Sequence, residues 1–197
     1  MERSEAKARL KALKGQDLHA LATQYGITVC TPFGTVNKGW AGHVCERFLG
    51  LPLNSAQSPN FGSWELKSMP LKRLASGQLT FKETMDITMY HVVHTPFADS
   101  HLLAVIIVAR IVGASYAKPT FVHSVTEIEL VGELYKAVEA DYELVRACLN
   151  DPQRGFSALT GKMGKYVQPR TKGAGHGSIS RAFYARPSFL KQCIMLN

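Results

Sequence analysis

The sequence has few cysteines, and their spacing excludes the usual zinc sites. Among its 197 residues the only cysteines are Cys30, Cys45, Cys148 and Cys193, and no two of them form a CxxC pair. Structural zinc sites normally use closely spaced ligand pairs, so a zinc-stabilised fold is not expected. We expect free thiols, buried in a protein of a reducing compartment.

Long apolar runs are also missing. The N-terminal run MERSEAKARLKALKGQ is charged throughout and lacks the apolar core of a signal peptide. The most apolar stretch, residues 101–112, is too short to cross a bilayer and contains Arg110. These features predict a cytoplasmic protein that has no contact with a membrane.

Acidic residues are absent from the last quarter of the chain. Residues 152–197 contain no Asp or Glu but eight basic side chains, namely Arg154, Lys162, Lys165, Arg170, Lys172, Arg181, Arg186 and Lys191. The rest of the chain has 15 basic and 15 acidic residues, so the net charge of +8 arises entirely in this segment. An unopposed basic segment indicates a polyphosphate partner, although a solvated basic face without a partner is the alternative.

The hydrophobic pattern predicts helices around a mixed central sheet, which is the α/β class. Predicted helices cover two short segments within residues 3–25, the second with Asp17 as its N-cap, residues 38–49 and residues 126–149, the last from a capping box at Thr126 and Glu129. The helix at residues 38–49 is expected to carry Trp40, Val44 and Phe48 on one stripe and to stop at Gly50. Predicted strands cover residues 63–69, 79–89, 102–112, 120–123 and 165–170, and the other residues after 149 are expected to be irregular. No linker divides the chain, so residues 1–197 are expected to form one domain.

A Glu-x-Lys triplet carries the chemistry. On the strand predicted at residues 63–69, Glu65 and Lys67 point to one face while Trp64 and Leu66 point to the other. Phosphodiester hydrolysis needs a hard cation held by oxygen ligands and a positive charge beside the phosphate. The same pattern also occurs as a solvated surface ion pair.

Several runs of residues resemble the mismatch-repair nickase MutH and its restriction-enzyme relatives, most closely the MvaI/BcnI type. These runs are residues 37–42 with Glu46 and Leu49-Gly50, the triplet Glu65-Leu66-Lys67, and residues 166–173, 175–178 and 180–186. The resemblance covers nearly the whole chain and is far more specific than the triplet alone.

The resemblance implies a PD-(D/E)xK nuclease fold, with a central mixed sheet flanked by helices and two lobes that form a DNA-binding cleft. It implies Mg²⁺ or Mn²⁺ as cofactor, held by Glu65 and the backbone carbonyl of Leu66, with Lys67 activating the attacking water. Glu46 would support the metal site, and Lys38 would lie beside it.

The partner that the resemblance implies is double-stranded DNA, bound by a chain that can act as a monomer. Positions that contact DNA or support the active site in the family correspond here to Arg170, Lys172, Tyr184 and Arg186. Lys165 and Arg181 belong to the same basic segment. His176, between two glycines, projects from a loop that can approach a groove.

One position departs from the family. Asn60 stands where the family has a metal-binding Asp, and a neutral amide offers oxygen without the charge that holds Mg²⁺ firmly. The chain is then either an inactivated variant of a working nuclease or a protein that binds DNA and cuts poorly. Because the other matched positions are intact, the first interpretation is favoured.

Three functions follow from these observations. The first is a Type II restriction endonuclease that cuts both strands at a short specific site. The second is a mismatch-repair nickase, which shares the chemistry but nicks one strand. The third is a DNA-binding module without catalysis, for which Asn60 is the strongest indication.

Overall fold

The computed structural model describes residues 1–51, 64–89, 97, 104–111, 119–171 and 181–196. The chain divides into two compact units. The first comprises Met1–Glu83, Val105–Ile128 and Leu196–Asn197, and the second comprises Thr84–Ala104 and Glu129–Met195.

Five α-helices and seven strands are seen in the described residues. The helices are α1 (Arg3–Lys11), α2 (Leu18–Gln24), α3 (Trp40–Phe48), α4 (Gly132–Asn150) and α5 (Pro187–Cys193). The strands are β1 (Glu65–Arg73), β2 (Leu79–Phe81), β3 (Met85–Met89), β4 (Ala104–Ile111), β5 (Phe121–Glu129), β6 (Val167–Thr171) and β7 (Arg181–Ala185). A short 3₁₀ helix covers Phe156–Ala158.

The first unit contains a mixed four-stranded sheet in the order β2-β1-β4-β5. Strand β1 pairs antiparallel with β2 and parallel with β4, and Lys67 lies opposite Ile107 in the parallel pair. Helix α3 packs against β1 and contacts α2. Its buried residues Trp40, Val44 and Cys45 form the inward stripe, whereas Phe48, which was expected on that stripe, is only partly buried.

The ends of α2 and α3 follow from capping chemistry. Asp17 precedes α2, and its Oδ1 accepts a hydrogen bond from the His19 N–H at 3.0 Å, as its predicted N-cap role requires. Gly50 follows α3 with φ +77°, a conformation that glycine adopts without steric cost. Both predicted helix limits are therefore confirmed.

The second unit contains an antiparallel sheet in the order β3-β7-β6, with α4 packed against β6. The ring of Tyr142 on α4 stacks on that of Phe183 on β7, with centroids 5.3 Å apart. Phe97 contacts the same Tyr142 ring. This aromatic cluster covers one face of the sheet.

The α/β class is confirmed, since a mixed sheet is flanked by helices. Three predicted assignments of secondary structure were wrong. Residues 79–89 form two strands in different sheets, because residues 82–84 interrupt the extended backbone. Strand β5 runs through Thr126 to Glu129, so those residues pair in a sheet and do not cap a helix. Residues 181–193, read as irregular, form β7 and α5.

No helix in the part of the chain that the structure describes is long and apolar enough to cross a membrane.

Candidate functional site

Glu65 and Lys67 form a close ion pair at the first residues of β1. Lys67 Nζ lies 2.5 Å from Glu65 Oε1, and the two side chains are only 17% and 18% exposed, respectively. Their neighbours Trp64 and Leu66 are buried, as the predicted alternation requires. The expectation that both charged groups share one face is confirmed, and the structure adds that they are in contact.

The face that carries this pair becomes apolar along the strand. Met69 and Leu71, which point to the same side of the strand as Glu65 and Lys67, are both buried. The pair therefore lies where a buried strand begins, and its limited exposure distinguishes it from an ordinary solvated surface pair. An interaction between these charges is screened less by water than on an open surface.

Helix α3 places Glu46 on the element next to β1. The Oε2 atom of Glu46 is withdrawn from solvent, although the residue as a whole is only partly buried. The adjacent Cys45 is fully buried, and burial above all raises the pKa of its thiol to about 12. Cys45 is thus protonated at neutral pH and is not suited to act as a nucleophile.

Arg110 is a buried basic side chain on the face of the sheet opposite Glu65 and Lys67, since it lies opposite Pro70 in the register of β1 and β4. It lies on β4, is 9% exposed, and donates a hydrogen bond from Nε to Ser68 Oγ at 2.9 Å. Its guanidinium also lies 5.6 Å from the centroid of the Trp40 ring. The position of Arg110 inside the apolar run of residues 101–112 is the sequence feature that could have predicted this contact. An arginine is almost never buried unless it is paired.

Lys38 lies just before α3 and is exposed. The preceding residue, Asn37, fixes this segment: its Nδ2 donates to the Thr28 carbonyl at 3.0 Å, and its Oδ1 accepts from the Gly39 N–H at 3.1 Å. Lys38 is therefore a cation on an anchored segment of the first unit.

In the second unit, Arg170 and Tyr184 come together on the sheet. The Arg170 guanidinium lies 5.9 Å from the centroid of the Tyr184 ring, and its Nη1 donates to Thr84 Oγ1 at 3.2 Å. Desolvation and the opposing Asp86 raise the pKa of the Tyr184 hydroxyl, while Arg170 lowers it. Arg170 is exposed, so its cation remains accessible to a ligand.

Arg186 has protein partners. Its guanidinium donates to the backbone carbonyls of Gly161, Met163 and Gly164 at 2.8, 3.0 and 3.2 Å. Lys165 is exposed, with its Nζ 4.9 Å from the centroid of the Tyr166 ring. The buried Asp141 on α4, which no sequence motif marks, accepts hydrogen bonds from backbone N–H groups of the same turn.

Three predicted site residues, Asn60, Lys172 and His176, lie outside the described residues, and Arg181 is described only by its backbone in β7. Among the described residues, no group of three or more His, Cys, Asp or Glu side chains could hold a metal ion. All four cysteines are free thiols, with Cys45 and Cys148 buried as expected and Cys30 exposed against expectation.

A scan of protein-family models finds none that matches this chain, and no curated protein matches it either. The resemblance to MutH and its relatives therefore stays a prediction that depends on the motifs themselves.

Proposed function

We propose that this chain is a magnesium-dependent restriction endonuclease, of the PD-(D/E)xK type, that cuts duplex DNA at a short specific site. The observation that carries the proposal is the contact of Glu65 with Lys67 at the start of a buried strand. A carboxylate and an ammonium held together with little exposure provide a metal ligand and a cation for a phosphate oxygen.

The donor atoms fit Mg²⁺ or Mn²⁺. The Glu65 carboxylate, the Leu66 carbonyl and the Asn60 amide are all oxygen donors, which hard divalent cations prefer. Such an ion lowers the pKa of a bound water and polarises the phosphate. Lys67 would orient the attacking water and stabilise negative charge on the phosphate, and Glu46 would support the ligands from α3.

The DNA partner is supported by the charge distribution. All of the net charge of +8 comes from residues 152–197. Five of these basic residues are exposed in the second unit, namely Arg154, Lys162, Lys165, Arg170 and Lys191. Contacts from such side chains to phosphates provide most of the non-specific affinity of a DNA-binding protein.

A plasmid assay tests the proposal and separates it from the nickase. Supercoiled plasmid is incubated with Mg²⁺ and one of three proteins: the unsubstituted chain, Asn60→Asp, or Asn54→Asp, which adds the same charge six residues earlier in the sequence. We expect linear DNA from Asn60→Asp, because a second carboxylate holds the cation firmly, and little product from the other two proteins. If the end product is a nicked circle, the chain is a nickase and the proposed restriction function is wrong.

A DNA-binding module without catalysis is the second candidate, and Asn60 is the observation that favours it. With an amide at this position, Glu65 is the only carboxylate of the proposed metal ligands, and its Oε1 already contacts Lys67. If Asn60→Asp binds duplex DNA but leaves the plasmid uncut over a wide range of sequences, the endonuclease proposal is wrong and the binding module remains.

A further inference from the structure

Residues 161–166, here called the 161–166 turn, are held by charged groups on both sides of the backbone. On one side lies the Asp141 carboxylate of α4, which is 6% exposed. Its oxygens accept hydrogen bonds from the backbone N–H groups of Lys165, Tyr166 and Val167 at 2.7, 2.6 and 2.8 Å. Bonds to an ionised acceptor are stronger than neutral ones, so this side of the turn is firmly fixed.

Arg186 holds the other side. Its Nη2 donates to the carbonyls of Gly161 and Met163, and its Nε donates to that of Gly164. Its own backbone N–H donates to the Tyr166 carbonyl at 2.8 Å. Three of the five guanidinium hydrogens are thus directed into the protein, which suits a structural role better than contact with an external ligand.

Gly164 closes the turn. Its φ of +76° is in the left-handed region, and a Cβ placed there would lie 1.8 Å from the Val167 carbonyl oxygen. Only glycine fits this position without movement of the backbone. The conformation of the turn is therefore determined by three residues, Asp141, Gly164 and Arg186.

Two lysines project from this fixed backbone. Lys162 and Lys165 are both exposed, and the Lys162 N–H donates to Thr160 Oγ1 at 3.3 Å. Residues 152–197 contain no acidic side chain, and the Asp141 carboxylate that contacts the turn is directed at three backbone N–H groups. A fixed backbone also reduces the entropy that is lost when a ligand binds.

We propose that the 161–166 turn is a preformed site for DNA phosphates, in which Lys162 and Lys165 make the contacts and Asp141 and Arg186 are positioning residues. This inference rests on the proposed DNA-binding function. It adds Lys162 to the residues that contact DNA. For Arg186, which the resemblance places among the positions that contact DNA or support the active site, it proposes the role of fixing the turn.

The lysines are tested by fluorescence anisotropy with a labelled 20-base-pair duplex over a range of salt concentrations. For the Lys162→Ala/Lys165→Ala double variant, we expect the slope of log affinity against log salt to fall by about two. Lys136→Ala, which removes an exposed lysine of α4 in the same unit but outside residues 152–197, is the control, and its affinity for the duplex should fall by less than about twofold. Equal effects of the double variant and the control would overturn the site.

Arg186→Lys distinguishes positioning from direct contact, because it keeps the charge but loses the fork of donors. We expect faster hydrogen exchange at the amides of Lys165, Tyr166 and Val167 in the free protein, together with weaker duplex binding. Asp141→Asn should accelerate exchange at the same amides. If Arg186→Lys weakens binding while exchange at these amides is unchanged, Arg186 contacts the ligand directly and the positioning role is wrong.

A second probe separates failure of this site from failure of the proposed function. Inorganic tripolyphosphate offers the same phosphate oxygens without a double helix. If the unsubstituted chain binds no duplex, but the double variant binds tripolyphosphate more weakly than Lys136→Ala does, the phosphate site is supported and the DNA-binding function is wrong. If the double variant matches the control with both probes, the site itself is overturned.

Discussion

Lys67 contacts a carboxylate that the proposed chemistry also requires as a metal ligand. Its Nζ lies 2.5 Å from Glu65 Oε1, in a position where neither side chain is more than 18% exposed. A cation bound by Glu65 would repel the ammonium and favour its movement toward a phosphate oxygen or a water. Without a metal ion, the contact neutralises both charges. It thus keeps the Lys67 ammonium next to the group that would react once a metal ion binds Glu65.

Removal of Lys67 should abolish cleavage and leave binding nearly intact. In the Asn60→Asp background, we expect Lys67→Ala to lower the cleavage rate by at least about 100-fold, since its role is at the transition state. Plasmid cleavage and duplex anisotropy measure the two effects. Lys72→Ala, an exposed lysine on the same strand, is the control. If Lys67→Ala loses binding and cleavage to the same extent, Lys67 anchors phosphate instead.

The cysteines should differ sharply in reactivity. Cys30 is exposed, whereas burial raises the pKa of Cys45 to about 12 and that of Cys193 to about 11. At pH 8 the thiolate fraction of Cys45 is therefore roughly one in ten thousand. We expect a disulfide reagent to modify one thiol rapidly in the folded chain, and Cys30→Ser to remove that phase. Rapid modification in Cys30→Ser would contradict the burial of Cys45 and Cys148 and the raised pKa of Cys193.

At the scale of elements, the sequence predicted what local patterns determine. Alternation around Glu65 gave the correct faces of β1, and Asp17 and Gly50 marked helix limits correctly. The Thr126 and Glu129 spacing failed, because a capping box and an alternating strand place the same residue types three apart and only tertiary pairing decides between them. The division of residues 79–89 between two sheets is likewise a non-local outcome.

Several long-range contacts were also beyond local patterns. The pairing of Arg110 with Ser68 joins residues 42 positions apart, and Asp141 binds backbone groups 24 to 26 positions away. Such contacts depend on which strands and helices become neighbours. A lone Asp on a helix gives no sign that it will be buried against a distant turn.

Gly77 and Gly164 both have a positive φ, and a comparison of alanine substitutions at the two positions tests how firmly the 161–166 turn is held. Gly77 has φ +86° and nothing within 4 Å of a built Cβ, whereas Gly164 has φ +76° and the Val167 carbonyl oxygen at 1.8 Å. Gly77→Ala should lower the free energy of unfolding by about 1–2 kcal/mol from left-handed strain alone. We expect Gly164→Ala to lose more than about 3 kcal/mol, because a clash is added to that strain.

Urea denaturation measures both values. The two substitutions add the same methyl group at similar φ angles. Any larger loss in the free energy of unfolding for Gly164→Ala therefore arises from the contact with the Val167 backbone. Equal losses would mean that the turn opens at little cost, and the preformed phosphate site would then lose its structural basis.

At the scale of the whole molecule, charge and proposed chemistry are separated along the chain. Glu46, Glu65 and Lys67 belong to the first unit, and Lys165 and Arg170 to the second. Residues 1–151 are neutral overall, so the net charge of +8 arises after residue 151 and outside β1. Affinity and catalysis should accordingly respond to different substitutions, the first to changes after residue 151 and the second to changes in β1.

Sequence readout should depend on Arg170 more than on the lysines. Its guanidinium is exposed, yet its position is fixed by the Thr84 hydroxyl and the Tyr184 ring, so it can meet a guanine edge with two hydrogen bonds. We expect Arg170→Ala to reduce discrimination at one base pair by roughly 1–3 kcal/mol. Lys165→Ala should weaken all sequences about equally, because a phosphate contact carries no base information. Duplex anisotropy with a panel of single-base variants of the cleaved site measures both. A uniform loss for Arg170→Ala would assign it to the phosphates and leave readout to other residues, among them His176.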